Sequence, residues 1–257
     1  MRCEDIIKIL ERQSPVEFAC DWDNVGLLVG RRDKNIRKIM IVVDVTEQIC
    51  QTAISQGVDM IVSHHPLIFG KIDRINDETV LGRKLLSLIE AGIVLYAMHT
   101  NFDIKGGMAK EAARLMSLKN TEVLDEQHYG EGIGQIGIMD KPLTLVALAE
   151  KVKEVFSLKN VVVYGNPENM IEKVAISPGS GKSEIICAAG KGAQCLITGD
   201  IGHHEGIDAV ELGLSVIDAS HYGLEKIFMR FMYNYLKDFC TDVEIGIADV
   251  GVPFTVV

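Results

Sequence analysis

Histidines in this sequence cluster at the ends of apolar runs, and His99 and His221 are each followed by an acidic residue four positions later. The histidines are His64, His65, His99, His203, His204 and His221, with Asp103 after His99 and Glu225 after His221. In parallel α/β sheets, ligands bind outside the carboxyl ends of the strands. Neutral imidazoles and carboxylates are the usual protein ligands of zinc, iron and manganese. The pattern therefore indicates a metal-binding site at the strand ends.

Each part of this pattern has a second interpretation. A histidine and a glutamate at i, i+4 share one helix face, so His221 and Glu225 could bind a metal or form a simple surface pair. His64 and His65 leave a strand in different directions, which suits contact with two different ions. Either of them could instead cap a helix or fill the core. The recurrence of such groups in both halves of the chain favours the metal site.

The segment HTNFD (99–103) adds an oxygen ligand. Asp103 suits a cation, whereas Thr100 and Asn101 are also typical of a turn. His99 could bind metal, but it could equally orient a ligand or transfer a proton. His204 is the other candidate for proton transfer.

Strands and helices alternate along the chain in a way that predicts an α/β protein with a mixed, largely parallel sheet. In the first half we predict strands over 38–45, 58–65 and 93–103, and helices over 46–57, with Thr46 as N-cap and Gly57 at its end, and 79–92. In the second half we predict strands over 172–180, 193–200 and 214–221, and helices over 181–192 and 203–213.

The two halves align, because VDMIVSHH corresponds to AQCLITGD and GIVLYAMHT to GLSVIDASH. We therefore predict two duplicated α/β repeats, 1–125 and 126–257, joined near a polar connector at 120–135. If the repeats pack about a pseudo-twofold axis, their strand ends would converge on one crevice.

Composition excludes several classes of function. The chain has 257 residues and a formal net charge of −10. Without a run of Lys and Arg, a nucleic-acid partner is not expected. The first residues carry acids where a signal peptide needs an apolar run, and apolar stretches are too short to cross a bilayer. We expect a soluble cytoplasmic protein that does not contact membranes. Its six cysteines are scattered, which predicts reduced thiols.

Two further features keep their alternatives open. SPGSGKSE (177–184) ends like a phosphate-binding loop, but Ile176 stands where the first glycine is required. Its Gly179 and Gly181 could hold an anion, although a structural turn is the favoured interpretation. Trp22, the sole tryptophan, is interpreted as a core or interface anchor in preference to a surface that stacks on substrate.

Five motifs in order resemble one known family. DWDNVGLLVG, SHHPLIF, HTNFD, GSG and IDASHYGLEK look like the Nif-three-like proteins, the YbgI family, whose attributed reaction is that of GTP cyclohydrolase I type 2. The resemblance implies two intertwined duplicated α/β repeats in a ring-shaped homohexamer, with two divalent ions per subunit (Zn, Fe or Mn). The implied ligands are His64, His65, Asp103, His221 and Glu225. The chain is too short for the inserted middle domain of some members, and Ser220 stands where relatives often have glycine.

A dinuclear site of this kind supports hydrolysis, because two ions activate a water and polarise the group that it attacks. The resemblance implies a nucleotide, GTP, as the small-molecule substrate, and a phosphoester or a cyclic amide would suit the same metals. His99 or His204 could move a proton, since neither is needed as a metal ligand. The alternative is a protein without catalytic activity, namely a metal-binding ring-shaped scaffold, a metal-handling protein or an interaction platform. Open coordination positions distinguish a hydrolytic site from a closed structural one.

Overall fold

The computed structural model describes residues 1–256, so that Val257 lies outside the described chain. The described residues form nine α-helices: α1 (Cys3–Gln13), α2 (Glu47–Ser55), α3 (Val80–Glu90), α4 (Met108–Leu115), α5 (Leu145–Val155), α6 (Ile185–Gly190), α7 (His203–Glu211), α8 (His221–Glu225) and α9 (Ile227–Phe239). The strands are β1 (Gly26–Val29), β2 (Lys38–Val42), β3 (Met60–Ser63), β4 (Val94–Ala97), β5 (Lys119–His128), β6 (Glu131–Thr144), β7 (Val162–Tyr164), β8 (Met170–Ser180), β9 (Cys195–Gly199), β10 (Ser215–Asp218) and β11 (Glu244–Ile247).

Two compact units divide the chain between them. The first unit comprises Met1–Gly106 and Phe228–Gly251, and the second comprises Gly107–Ile227 with the residues from Val252 onward. The chain therefore leaves the first unit and returns to it near the start of α9. The two units are defined by how compactly their residues pack. The predicted repeats 1–125 and 126–257 are defined by internal duplication, so they stay a prediction.

The first unit contains a five-stranded sheet in the order β1-β4-β3-β2-β11. β2, β3 and β4 are parallel neighbours, β11 joins the edge of β2 in parallel, and β1 is antiparallel to β4. β3 is buried along its whole length. Such a strand reads as a continuous apolar run because helices or loops cover both of its faces.

The second unit contains a six-stranded sheet in the order β5-β6-β8-β9-β10-β7. β8, β9 and β10 are parallel neighbours, and the strands outside them pair antiparallel. β9 buries both faces: Cys195 and Ile197 belong to one apolar cluster and Leu196 to another. Each unit thus holds three consecutive parallel strands linked by helices.

The predicted fold class is confirmed, with mixed sheets that are parallel at their centres. Each predicted strand and helix is present, and most are shorter than predicted, whereas β8 begins two residues before the predicted strand 172–180. Thr46 caps α2, because its Oγ1 accepts a hydrogen bond from the Ile49 N–H at 3.1 Å. Gly57 follows that helix at φ +63, a left-handed conformation that glycine adopts without strain. The predicted helix 181–192 begins as a 3-10 turn (Lys182–Glu184) before α6.

The polar connector predicted near 120–135 is instead the hairpin of β5 and β6. Tyr129 and Gly130 form its turn with positive φ values of 51° and 78°. Glycine and charge mark a hairpin as well as a linker, because a solvated edge strand also tolerates polar residues. The glycine and charged residues therefore correctly marked a turn, but the strands on either side of it were not predicted.

Two structural features concern the predictions of reduced thiols and of no membrane contact. All six cysteines are free, and Cys3, Cys50, Cys195 and Cys240 are buried, as predicted for reduced core residues. Among residues 1–256, none of the helices has both the length and the apolar character needed to cross a membrane.

Candidate functional site

His64 and His65 directly follow β3, where the backbone still holds them in register. The His64 and His65 N–H groups donate to the Val42 and Val43 carbonyls at 3.1 and 3.0 Å. The His64 side chain is fully buried, whereas that of His65 is 16% exposed. The two imidazoles leave the strand end at an angle of 45° with centroids 5.0 Å apart. The paired histidines therefore present separate ring nitrogens from one fixed strand end.

Asp103 comes from a π-helical turn, Phe102–Gly106, just after β4. Such turns are rare and occur frequently at functional sites. The Asp103 N–H donates to the His99 carbonyl at 3.0 Å, and Asp103 Oδ1 lies 3.7 Å from His64 Nε2. The turn is anchored by Asn101, whose buried amide donates to the Ser14 carbonyl at 2.8 Å. HTNFD is thus a structural turn that also delivers a carboxylate to His64.

His99 joins His64 and His65 in one cluster. The three side chains each offer a ring nitrogen, and these atoms all lie within 4.8 Å of one another. Two nitrogens bound to one zinc ion at about 2.0–2.1 Å can be at most about 4 Å apart, so small side-chain shifts would let them share an ion. This group of imidazoles in the first unit could hold a metal ion.

The second unit brings His221 and Glu225 together at the start and end of α8. His221 Nε2 lies 3.1 Å from Glu225 Oε2, and His221 Nδ1 lies 2.8 Å from Asp200 Oδ2. The Glu225 side chain is only 4% exposed. An imidazole nitrogen and a buried carboxylate oxygen facing each other form a donor pair suited to a divalent cation.

Ser220 sets the entry into α8. Its φ of +59° lies in a region that favours glycine, the residue that the resemblance leads one to expect here. Ser220 Oγ accepts a hydrogen bond from the Gly223 N–H at 3.0 Å and so caps the helix. The cap offsets part of the backbone strain and fixes the position of His221.

Gly179 lies directly against the second pair. Its φ is +83°, and a Cβ added there would lie 2.6 Å from Glu225 Oε1 and 3.8 Å from His221 Nε2. The backbone of GSG thus lies so close to the Glu225 carboxylate that only glycine fits at position 179. The favoured interpretation of Gly179 and Gly181 as a structural turn gains a specific reason, since a side chain at 179 would displace Glu225.

All four of these imidazoles share one pattern of hydrogen bonding. At Nδ1, His64 contacts the Met98 carbonyl at 2.8 Å, His65 contacts Asp44 at 2.8 Å, His99 contacts Asp23 at 3.0 Å and His221 contacts Asp200 at 2.8 Å. Carbonyl and carboxylate oxygens only accept, so Nδ1 carries the hydrogen in each ring, and a neutral ring then has its lone pair on Nε2. In His221 this nitrogen faces Glu225 Oε2 at 3.1 Å, where a cation held between the two atoms would satisfy both. Metal-binding histidines are usually oriented in this way, and the residues therefore fit a divalent ion.

The aspartates that orient these rings were not among the predicted site residues. Asp44 and Asp200 immediately follow β2 and β9 by one or two residues, and Asp23 lies in DWDN. Acids directly after apolar strands were the available signal. Their partners lie 21 to 76 positions away in the chain, so only the folded structure joins them.

Asp23 has a strongly altered acidity. Burial by itself would raise the pKa of Asp23, but the hydrogen bond and charge interaction with His99, together with the hydrogen bonds from Thr100, outweigh it and lower the pKa from 3.8 to about 2. Thr100 donates both its N–H, at 3.0 Å, and its hydroxyl, at 2.6 Å, to Asp23 Oδ2. The Asp23 side chain is fully buried. The carboxylate is therefore stabilised in its charged form next to His99.

This lowered pKa predicts a pH-dependent contribution to stability. A depressed folded-state pKa stabilises the protein above the unfolded value of 3.8, and the contribution is lost as pH falls through about 2. A shift of this size corresponds to about 2 kcal/mol. We expect Asp23→Asn to lower the free energy of unfolding by about that amount at pH 5 and by progressively less toward pH 2. Urea denaturation of metal-free protein, followed by circular dichroism, measures the difference.

The matched control is Asp21→Asn, which removes a carboxylate from an exposed residue two positions away. We expect little change in stability at either pH for this variant. If Asp23→Asn and the parent protein lose stability in parallel between pH 5 and pH 2, the His99 and Thr100 hydrogen bonds do not stabilise the carboxylate.

The remaining predicted residues lie apart from these contacts. His204 is exposed in the first turn of α7, where its ring contacts that of His203 with centroids 5.3 Å apart. Within residues 1–256, no described contact joins His204 to His221 or Glu225. The predicted roles of His204 and His99 in proton transfer, like the five metal ligands, stay predictions.

The comparison with known proteins covers nearly the whole chain. The sequence model for the family Duf34/NIF3 (NGG1p interacting factor 3) matches residues 1–251. A protein of Clostridium perfringens named GTP cyclohydrolase 1 type 2 homolog is 37% identical over 228 residues, which cover 88% of this chain and 87% of that protein. A protein of Lactococcus lactis with the same name is 35% identical, with 95% of each chain covered.

Solved structures show the same similarity. Reduced HcgD from Methanocaldococcus jannaschii matches with a TM-score of 0.86 and 33% identity, covering 97% of this chain and 98% of that one. A Bacillus cereus protein related to NIF3 matches with a TM-score of 0.95 and covers 100% of this chain and 99% of that one. Its identity is 24%, so this likeness bears on the fold alone.

Proposed function

The chain belongs to the Duf34/NIF3 family, and from that premise we propose that it is a metal-dependent hydrolase with a dinuclear centre. One observation carries the proposal: His64, His65, His99 and His221 each hold Nδ1 against a carbonyl or carboxylate oxygen at 2.8 to 3.0 Å, which is the orientation in which metal-binding histidines present Nε2 to an ion. Unrelated surface histidines are not expected to share this orientation, whereas metal-binding histidines usually donate their second ring N–H to an oxygen.

We propose that His64, His65 and Asp103 in the first unit and His221 and Glu225 in the second are the metal ligands. Three imidazoles and two carboxylates form a mixed nitrogen and oxygen set, which suits Zn, Fe or Mn better than the all-oxygen sites of calcium or magnesium. The expectation that both sets serve two ions in one centre rests on the family resemblance.

Ions bound by this set would supply Lewis-acid polarisation of the substrate and activation of the attacking water. The chain's own residues supply the proton chemistry. His99 is held by Asp23 with Nδ1 protonated, so its Nε2 would accept a proton during attack and return it to the leaving group. Asp23 would also stabilise the imidazolium that forms, because the carboxylate stays charged down to about pH 2.

The proposed substrate is a nucleotide or a cyclic amide. The relatives from Clostridium perfringens and Lactococcus lactis are both named GTP cyclohydrolase 1 type 2 homolog. Hydrolysis of a ring amide and hydrolysis of a phosphoester make the same demands on the metals, namely an activated water and a polarised oxygen. Because the metals do not distinguish these substrates, the name of the relatives is the reason to test nucleotides first.

Two measurements on the parent protein test the proposal. Elemental analysis after metal loading is expected to show two divalent ions per chain. The loaded protein is then screened against nucleotides, phosphoesters and cyclic amides, with protein stripped by chelator as the control. Turnover that disappears on stripping supports the hydrolase. Full metal content without turnover of any of these compounds would favour the metal-binding scaffold instead.

We propose further that the protein assembles as a ring-shaped homohexamer. Val252, Phe254 and Val256 are 40%, 57% and 61% exposed, and an apolar surface of this kind is covered in many assemblies. Light scattering at low micromolar concentration is expected to give six times the chain mass of 28.3 kDa. A stable particle of 28.3 kDa would contradict the ring.

A cytoplasmic location is also part of the proposal. The six free thiols suit a reducing compartment, where structural disulfides are rare. Fractionation of cells that express the chain tests it, and recovery in a secreted or membrane fraction would contradict it.

A further inference from the structure

Two large aromatic side chains are exposed beside His99. Trp22 is 65% exposed and Phe69 is 55% exposed. The centroid of each ring lies close to that of His99, at 5.9 Å for Trp22 and 5.8 Å for Phe69. Both contacts are edge-to-face, with interplanar angles of 76° and 88°. Of the two predicted roles of Trp22, core or interface anchor, its exposure rules out the core, and the interface role stays a prediction.

Buried polar neighbours hold both aromatic residues in place. Asp23, next to Trp22, is bonded to His99 and Thr100. Asn24 donates its side-chain amide to the Ile68 carbonyl at 2.7 Å, one residue before Phe69. The two loops are thereby tied to each other and to the turn that carries His99. Their exposed rings extend from fixed backbone, which makes them a preorganised surface.

We propose that Trp22 and Phe69 stack on a planar nitrogen heterocycle and present it to the imidazole cluster of the first unit. This inference rests on the proposed function, because it names the substrate class of the same site. Stacking on an aromatic side chain needs only a π face, so it is available to purine and pyrimidine rings alike. The ring edge would meet His99, whose Nε2 could accept a hydrogen bond from a ring or exocyclic N–H while Nδ1 donates to Asp23.

The nitrogen heterocycle is favoured over a purely hydrocarbon ring by the surrounding chemistry. An apolar ring placed against His99 would leave its Nε2 without a hydrogen-bond partner, and an unsatisfied buried polar atom is unfavourable. A heterocycle offers both the π face for Trp22 and Phe69 and polar atoms at its edge. The same edge would face the proposed metal ligands His64 and His65.

The sole tryptophan gives a direct test, because intrinsic tryptophan fluorescence reports on Trp22 alone. Guanosine, uridine and ribose 5-phosphate are titrated separately into metal-loaded protein. Saturable quenching by guanosine, by uridine or by both supports the inference and distinguishes the ring type. Ribose 5-phosphate, which lacks the ring, is expected to leave the emission unchanged. If neither nucleoside quenches, or if ribose 5-phosphate quenches equally, the inference fails.

Variants separate stacking from general loss of the site. Phe69→Ala is expected to weaken nucleoside affinity about ten-fold in calorimetric titrations, and Phe69→Tyr is expected to retain it. Tyr129→Ala, at a 98% exposed aromatic on the β5–β6 hairpin, is the matched control and should bind like the parent. Equal affinity for Phe69→Ala and the parent would overturn the inference.

Metal content measured in the same samples distinguishes this inference from the proposed function. If the parent binds metal but no nucleoside, only the stacking inference fails. If the parent binds nucleosides without binding metal, the hydrolase proposal fails and the stacking surface stands. A Trp22 emission maximum that shifts on dilution without ligand would mean that a second copy covers the indole, and this result too would overturn the inference.

Discussion

Replacing His65 by alanine, or Glu225 by glutamine, is expected to lower metal affinity by at least about 100-fold while the fold survives. Partners that merely orient a ligand contribute about 10–100-fold to metal affinity, so a ligand itself should contribute more. His65→Ala removes a ring nitrogen at a strand end, and Glu225→Gln keeps the volume of a side chain that is only 4% exposed. The glutamine loses the negative charge that offsets the charge of the ion. Elemental analysis alongside circular dichroism measures both effects.

His128→Ala is the control for this pair. His128 is exposed at the end of β5, in the hairpin and not in either ligand set. Its replacement should leave metal content unchanged. If His65→Ala and Glu225→Gln retain as much metal as His128→Ala, the hydrolase proposal loses its physical basis, whatever the family relationship suggests.

Gly179→Ala is expected to weaken metal binding at least about ten-fold, since it disturbs the position of a ligand from outside the ligand set. The added Cβ would lie 2.6 Å from Glu225 Oε1, closer than real contacts allow, and the buried carboxylate must move. The backbone at φ +83° adds strain for any residue with a Cβ, of about 1–2 kcal/mol. Metal titration and urea denaturation of the variant measure the two effects separately.

Gly190→Ala makes the same chemical change where nothing opposes it. Gly190 ends α6, and a Cβ there would meet no atom within 4 Å. The variant should bind metal normally and gain up to about 1 kcal/mol of stability, because alanine favours the helix. Normal metal binding in Gly179→Ala as well would show that Glu225 tolerates displacement and is not held by the glycine.

The sequence by itself determined the alternation of strands and helices and the residue types at the strand ends. The buried strands β3 and β9 are recognisable in the sequence as continuous apolar runs, because both of their faces are covered. Thr46 marks the start of α2 because capping is a local interaction between neighbours in the chain. His64, His65 and His221 could be selected because polar residues directly after such runs must lie at a sheet edge.

Only the tertiary structure decided which partners orient the imidazoles and which aromatic residues stay exposed. The Asp23 contact to His99 spans 76 positions, and the pairing of β11 with β2 joins opposite ends of the chain. No periodicity encodes such contacts, since they depend on how loops close in space. The same holds for Trp22: its residue type suggests a core or interface anchor, but the buried hydrogen bonds of the neighbouring Asp23 place it at the surface of the chain.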